Sequence, residues 1–299
     1  MITVFGSINM DLIATTPRLP KPGETVAGTG FSTAAGGKGA NQALAARRAG
    51  SAVRMVGAVG RDEFAGPALA LLDEAGNDLS KVHHVDGPTG IAVILVGGDG
   101  ENMITVVPGA NGAVGEPEAK EAVAAMQPGD FLMLQLEVPA ASVERALTDA
   151  KARGVTTILN IAPLTADAAR LGRMADIVIA NETEFERLAG REALDAAERE
   201  QTLMRLHGET GQTLIVTLGA DGVIAARDSK LFRTMGLAIE PADTVGAGDT
   251  FCGYLTAGLD QGIAFEQALR RAAVAGSLAC LKTGAQPSIP TVDEVERRV

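Results

Sequence analysis

The sequence predicts an α/β fold: a mostly parallel central sheet with helices on both faces, plus a small β-sheet projecting from it. Three observations carry that expectation. Short apolar runs of β type alternate with longer Ala-rich amphipathic runs along the chain, the pattern of βαβ units. Gly50, Gly76 and Gly154 stand just past three of the helical runs, where glycine stops a helix. Two stretches, Asp11 to Thr33 and Gly90 to Val107, break the rhythm with strand-like patterning and turn signals.

The predicted strands are Ile2–Gly6, Val53–Val59, Ile91–Val96, Met103–Val107, Phe131–Leu136, Val155–Asn160, Ile177–Ala180, Thr213–Thr217 and Gly222–Ala226. The predicted helices are Gly39–Ala49, Ala65–Ala75, Pro117–Met126, Ala140–Arg153, Thr183–Ala189, Leu194–Gly208, Gly248–Asp260 and Phe265–Leu281. Such alternation implies a mostly parallel sheet covered on both faces. Asp11 to Thr33 has no helical period but carries Thr/Val alternation and the turn signal Lys21-Pro22-Gly23-Glu24. In the second stretch, Gly97-Gly98-Asp99-Gly100 separates two strand-like runs and reads as a hairpin. Insertions at about 11–33 and 90–109 are thus expected to build one small sheet. No linker, composition shift or repeat divides residues 1–299, so a single domain is expected.

Composition narrows the function. Of 299 residues, 46% are hydrophobic and 21% charged, which is globular rather than disordered. The 36 glycines have no three-residue period and no accompanying low-complexity tracts. A net charge of −11 argues against non-specific nucleic-acid binding. The absence of Trp, with one Tyr, leaves no stacking platform for single strands. No apolar run approaches the roughly 18–20 residues of a membrane span. The start, Met1 to Gly6, lacks a signal-peptide pattern. Cys252 and Cys280 are too few for a disulfide framework or a Cys-rich zinc site. A reduced, cytoplasmic protein without nucleic-acid or membrane partners is expected. An anionic ligand would then be held by backbone N–H groups, helix N-termini or a metal ion.

The strongest local signal is Asp243-Thr244-Val245-Gly246-Ala247-Gly248-Asp249-Thr250-Phe251, which follows a strand-like run and opens a long helix. Gly246, Ala247 and Gly248 let backbone N–H groups converge at the helix start, a nest for an anion. Asp249 at its edge is placed to accept a proton from an attacking hydroxyl. A glycine turn with an Asp N-cap fits the same residues. In Ala35-Gly36-Gly37-Lys38-Gly39-Ala40-Asn41-Gln42, paired glycines allow close approach of a ligand, Asn41 offers a hydrogen bond and Lys38 a cation. An ordinary Gly-rich loop before a helix fits as well. The string is no P-loop, and no dinucleotide fingerprint follows the first strand, which disfavours a nicotinamide dehydrogenase.

Asn9 and Asp11 lie two apart at the expected end of the first strand, so their side chains share a face that suits a diol; turn chemistry is the alternative. In Asn181-Glu182-Thr183-Glu184, an N-cap with acids in the first turn competes with a carboxylate holding hydrated Mg²⁺. Glu137 follows an apolar strand, where ligand-facing acids sit in open α/β sheets; a buried cap or ion pair is its other reading. His83-His84 reads as a solvated or packed loop pair, and with only His207 besides, a His-metal cluster is not expected.

Taken together, these signals resemble the ribokinase-type carbohydrate kinases. Gly6-Ser7-Ile8-Asn9-Met10-Asp11, Gly36 to Gln42, Asn181 to Glu184, Asp243 to Phe251 and Gly284-Ala285-Gln286-Pro287-Ser288 occur in that family's order and spacing, from residue 2 to about 290. The resemblance implies a ribokinase-like fold and ATP-dependent phosphorylation of a sugar's terminal hydroxyl, the 5-hydroxyl for ribose. It implies Asp249 as catalytic base and the N–H groups of Gly246 to Asp249 as anion hole. Asn9, Asp11, Gly37, Lys38, Gly39, Ala40, Asn41 and Glu137 would hold the sugar. Asn181 and Glu184 would act on the phosphates and the Mg²⁺ water shell, and Thr217, Leu218, Gly219, Ala220, Asp221 and Gly222 would run along the nucleotide. A K⁺ loop would use Asp243, Val245, Ala279, Lys282, Gly284 and Ser288. The small sheet would be a lid over the sugar, pairing with a second copy in a homodimer. Where these kinases often place an Asn near the adenine, this chain has Ala273, which implies looser base selectivity. Another small sugar or a nucleoside is the alternative acceptor. A non-catalytic sugar- or nucleotide-binding protein is the alternative from another class, against which the intact Asp249 and its glycines speak.

Overall fold

The computed structural model describes residues 1–299. Nine strands form the central sheet: β1 (Ile2–Phe5), β4 (Val53–Val59), β5 (Asp78–His84), β8 (Phe131–Leu134), β9 (Thr156–Asn160), β10 (Ile177–Asn181), β11 (Thr213–Thr217), β12 (Val223–Arg227) and β13 (Lys230–Thr234). Their order is β13-β12-β11-β10-β9-β8-β1-β4-β5. From β11 to β5 all neighbours are parallel, and β12 and β13 close one edge antiparallel. Four further strands, β2 (Asn9–Thr15), β3 (Gly30–Gly36), β6 (Gly90–Val96) and β7 (Asn102–Val107), make a second sheet in the order β3-β2-β6-β7.

The central strands are buried on both sides, as their continuous apolar runs require. One core lies beneath α1 (Lys38–Arg48), α2 (Ala65–Glu74), α8 (Ala247–Asp260), α9 (Phe265–Ala279) and α11 (Val292–Glu296). The other lies beneath α3 (Glu116–Ala124), α4 (Ala140–Ala152), α5 (Ala168–Gly172), α6 (Glu182–Ala189) and α7 (Ala196–Thr210). A short helix, α10 (Ala285–Ser288), precedes α11. Small residues let α1 and α8 pack closely: a Cβ at Gly253 would lie 2.5 Å from that of Ala45 and 2.7 Å from the Gln42 carbonyl oxygen. This close approach brings the starts of both helices to the same end of the sheet, at the C-terminal ends of its parallel strands, where open α/β sheets bind ligands.

The α/β architecture and the second sheet agree with the expectation, and the differences are local. Two strands escape sequence patterning. β5 is only half-buried at the sheet's edge, and β13 is a polar antiparallel edge strand. His83 and His84 therefore end a strand beside Ala58 and Val59, not a loop, and His83 meets Glu121 at 3.1 Å. Asn9 and Asp11 are not at the end of the first strand. β1 stops at Phe5, and both residues belong to β2 of the second sheet, where their shared face is kept. Asp243 to Phe251 does not follow a strand: β13 ends at Thr234, and residues 235–246 run as loop and turn before α8. Helix bounds shift by one or two residues, as at α7 and α9. No helix is long and apolar enough to cross a membrane.

Candidate active site

The ends of β9, β10 and β11 line one cleft, and the residues that follow β1 and β8 stand next to them in the sheet order. Ser7 follows β1, Gln135 and Glu137 follow β8, Asn160 ends β9, Asn181 ends β10 and Thr217 ends β11. The starts of α1 and α8 close it from above. The cleft has a volume of about 210 Å³, and its lining includes Lys38, Asn160, Asn181, Glu184, Thr217, Gly246, Gly248, Asp249 and Cys252.

Asp249 is buried in the first turn of α8, and both its oxygens are held by α1. Asn41 Nδ2 donates to Oδ2 at 2.9 Å, and Gln42 Nε2 donates to Oδ1 at 2.9 Å. Gly246 caps α8 with φ of 78°, a conformation natural to glycine, and a Cβ there would lie 2.9 Å from Ala285 Cα. The Ala247 N–H turns back to the Thr244 carbonyl at 3.3 Å, and the first helical bond runs from Thr250 N to the Gly246 oxygen. The N–H groups of Gly248 and Asp249 therefore belong to the helix's unpaired first turn. The donor set is narrower than the four groups from Gly246 to Asp249, because Ala247 has an acceptor of its own.

At the start of α1, Gly37 has φ of 88°, and a Cβ on it would lie 2.7 Å from the Asn9 backbone nitrogen. Glu137 caps this helix, with Oε2 accepting from Lys38 N at 3.1 Å and from the Ser7 hydroxyl. Asn9 Oδ1 accepts from Asn111 Nδ2 at 2.7 Å. Asn111 also bonds the Ile8 amide and carbonyl at 2.9 and 3.1 Å, pinning the turn that carries Asn9. Gly36 leaves room for the Asp11 carboxylate, which a Cβ would strike.

The acids crowd one cation. Burial raises the Asp11 carboxyl to about 7, with Glu137 and Asp249 adding to the rise and Lys38 opposing it. Burial likewise raises Glu184, eased by the Asn181 amide and by Lys38. Burial works against the Lys38 ammonium, but Asp249, Glu137 and Glu184 outweigh it and raise its pKa. Asn181 and Glu184 form a reciprocal capping box, each accepting the other's backbone N–H at 2.8 Å. They nonetheless line the cleft, so the cap and the cleft-facing acid are the same residues.

The family model for pfkB family carbohydrate kinases matches residues 1–292. The chain belongs to that family. The pfkB-family enzyme is thus a phosphotransferase with an alcohol group as acceptor. Its chain is 37% identical to the ribokinase of Haemophilus influenzae over 98% of this chain and 96% of that one. A ribokinase from Cryptococcus neoformans var. grubii serotype A in complex with ADP superposes with a TM-score of 0.87 at 33% identity, covering 100% of this chain and 99% of that one. The Arabidopsis thaliana ribokinase complexed with ribose and ATP gives 0.87 at 32%, covering 99% and 97%. The fold is the ribokinase-like one.

Other predicted residues of the pfkB-family enzyme lie further out. Of the predicted nucleotide segment, Thr217 lines the cleft, while Gly219 to Asp221 form an exposed 3₁₀ turn and Gly222 is buried against Thr234. Ala273 is buried in α9, where its carbonyl accepts the Ser277 hydroxyl at 3.0 Å. The predicted cation loop is drawn together by Asp243, whose two oxygens accept from Val245 N and Gly284 N, each at 2.9 Å. The Ala279 carbonyl meets Lys282 N at 3.4 Å, and Ser288 Oγ donates to the Ala285 carbonyl at 2.8 Å. Sequence reasoning missed Asn111, Gln135 and Asn160 and gave Gln42 no role. The one available signal was Gln135, an amide interrupting the apolar run Phe131–Leu136.

Asp11 sets a pH dependence. Its folded pKa lies above its ordinary value of 3.8, so the folded chain keeps a proton that the unfolded chain releases. Stability from this group falls as pH rises from about 4 to about 7. Asp11→Asn cannot ionise. Its melting temperature should therefore gain on the wild type as calorimetric scans move from about pH 5 to about pH 8. Parallel curves for the two proteins would show that Asp11 carries no such charge cost.

Proposed function

We propose that the enzyme transfers the γ-phosphoryl group of ATP to the 5-hydroxyl of ribose. The observation that carries this reading is the convergence, in one cleft, of a buried carboxylate fixed at both oxygens, Asp249, with unpaired helix N-terminal N–H groups. Near-full-length similarity to ribokinases supports the choice of sugar.

Asp249 takes the proton of the attacking hydroxyl. Its two amide bonds use part of the four or so lone-pair sites of a carboxylate, and the rest face the acceptor. The N–H groups of Gly248 and Asp249, with Gly246 beside them, receive the charge on the transferred group, and Lys38 adds a cation at short range. Positioning does most of the remaining work. Asn9 and Asp11 hold vicinal hydroxyls from β2, with the Gly37 to Asn41 turn against the ring and Glu137 behind it. The Asn41 Oδ1 is buried without a partner, an acceptor ready for a sugar hydroxyl. Asn181 faces the phosphates. Glu184, a buried acid of raised pKa, suits the water shell of Mg²⁺, which when bound neutralises phosphate charge. Thr217 and the turn Leu218 to Gly222 border the nucleotide, and Ala273 offers the base no polar side chain.

A monovalent cation fits the loop of Asp243, Val245, Ala279, Lys282, Gly284 and Ser288. Its donors are backbone carbonyls, a hydroxyl and one carboxylate, hard oxygens of low total charge. Gly246 rests on Ala285 of the same loop, so K⁺ there would stiffen the anion hole. The second sheet acts as the lid, excluding water that would hydrolyse ATP. Its outer strands expose Phe31, Met103, Ile104, Val106 and Val107, and its edges β3 and β7 are unpaired. A homodimer through this sheet would cover both. Light scattering should then give twice the chain mass of 30.6 kDa; the single mass would remove the dimer. The two unbridged cysteines suit the reduced cytoplasm, where we place the enzyme.

An ADP-release assay with ribose, in matched KCl and NaCl, tests the reading. Ribose should outrun other sugars and nucleosides, K⁺ should activate more than Na⁺, and Asp249→Ala should lose about 10³-fold or more in kcat with sugar affinity little changed. Near-normal turnover by Asp249→Ala would remove the base, equal rates in the two salts would remove the cation loop, and a preferred nucleoside would replace ribose.

A further inference from the structure

Behind Asp249 stands a chain of buried neutral amides. Gln42 is 1% exposed and Gln135 is fully buried. Gln135 Nε2 donates to Gln42 Oε1 at 2.6 Å. Gln42 Nε2 donates to Asp249 Oδ1 at 2.9 Å and to Asn160 Oδ1 at 3.1 Å. Asn160 Nδ2 donates to the Ile179 carbonyl at 3.2 Å.

Each amide in this chain has only one workable orientation. A backbone carbonyl only accepts, so Asn160 must turn its NH₂ to Ile179 and its oxygen to Gln42. The Asp249 carboxylate also only accepts when ionised. Gln42 faces two acceptors and must present its NH₂ to both, which leaves its oxygen toward Gln135. The Gln135 NH₂ answers that oxygen. The far oxygen of Gln135 lies beside Gly6, where a Cβ would strike it, and has no partner of its own. A buried acceptor without a partner is unfavourable, so Gln135 is kept in this orientation by what its other end donates to.

We propose that Gln135 and Gln42 form an orienting relay for the catalytic base, with Gln42 the positioning residue and Gln135 holding Gln42 in the orientation that Asp249 and Asn160 require. The inference rests on the reading of Asp249 as base, but not on the identity of the sugar. Asn41 fixes the second oxygen from the same helix, so the carboxylate plane is set by α1 at two points. A reversed Gln42 would turn its oxygen on Oδ1 and push the carboxylate out of line with the incoming hydroxyl. The single NH₂ group bridging Asp249 and Asn160 also ties the base to β9, whose end lines the cleft.

The test is the pH profile of Gln135→Glu against Gln135→Met, using wild-type turnover on its best alcohol acceptor as reference. The new glutamate can donate to Gln42 only while protonated. Its kcat should hold at low pH and fall by about 10-fold or more as pH rises and the side chain ionises, a descending limb absent from wild type. Gln135→Met has no donor at any pH and should lose about 10-fold in kcat uniformly, with KM for acceptor and ATP within about threefold of wild type. If a buried glutamate prevents folding, Gln42→Met serves. It removes one of two donors to the Asp249 carboxylate, so its kcat should drop by about 10-fold with KM for acceptor and ATP within about threefold of wild type. Variants that fold and show wild-type kcat and limbs would reduce the chain to packing. A wild type inactive on every alcohol would instead overturn the kinase reading, so the two failures are distinct.

Discussion

The carboxylate of Asp249 bridges two helices, and the geometry of the site depends on that bridge. Its oxygens accept from Asn41 and Gln42, consecutive residues of α1, while its backbone opens α8. The bridge is possible because Gly253 lets α8 lie against Ala45 and Ala46 of α1. A larger residue at this contact would force the helices apart, and the amides would lose their reach. One packing contact therefore sets the distance between the Gly37 to Asn41 turn and the start of α8. Gly246, seated on Ala285, extends the same constraint to the loop around Asp243.

This arrangement concentrates charge without balancing it. Asp11, Glu137, Glu184 and Asp249 surround the single ammonium of Lys38, and burial raises Asp11 and Glu184. The chain has a net charge of −11, so its overall field does not attract an anion. The positive elements that the cleft offers an anion are the unpaired N–H groups at the start of α8 and the Lys38 ammonium. Glu137 caps α1, and Glu184 closes a capping box while also lining the cleft. A local stabilising role and a functional one are not alternatives here, because a helix that starts in the cleft needs its cap in the cleft.

Most of the fold was legible because its signals are local. Continuous apolar runs marked the parallel strands, and glycine stops marked the helix ends. β5 and β13 were not legible, because half-buried edge strands carry neither a continuous apolar run nor clean alternation. The glycine-rich strings drew attention to Lys38, Asn41 and Asp249, since close backbone approach leaves a compositional trace. Of the amides around them, only Gln135 left a trace, as a polar residue inside an apolar run. Asn111, Gln135 and Asn160 act through partners distant in sequence, and a neutral amide has no characteristic spacing. Asn9 and Asp11 were legible as a pair, but their place on a separate sheet depends on a chain turn at Gly6 to Ile8 that the pattern alone did not mark.

On the proposed reading, the carboxylate held between α1 and α8 faces the terminal hydroxyl of ribose. Phosphorus–proton correlation spectroscopy on the product formed from ribose and ATP tests this most directly. One phosphomonoester signal coupled to the two protons on C5 is expected. A phosphorus signal coupled instead to the anomeric proton would contradict it, because a different hydroxyl would then lie against Asp249.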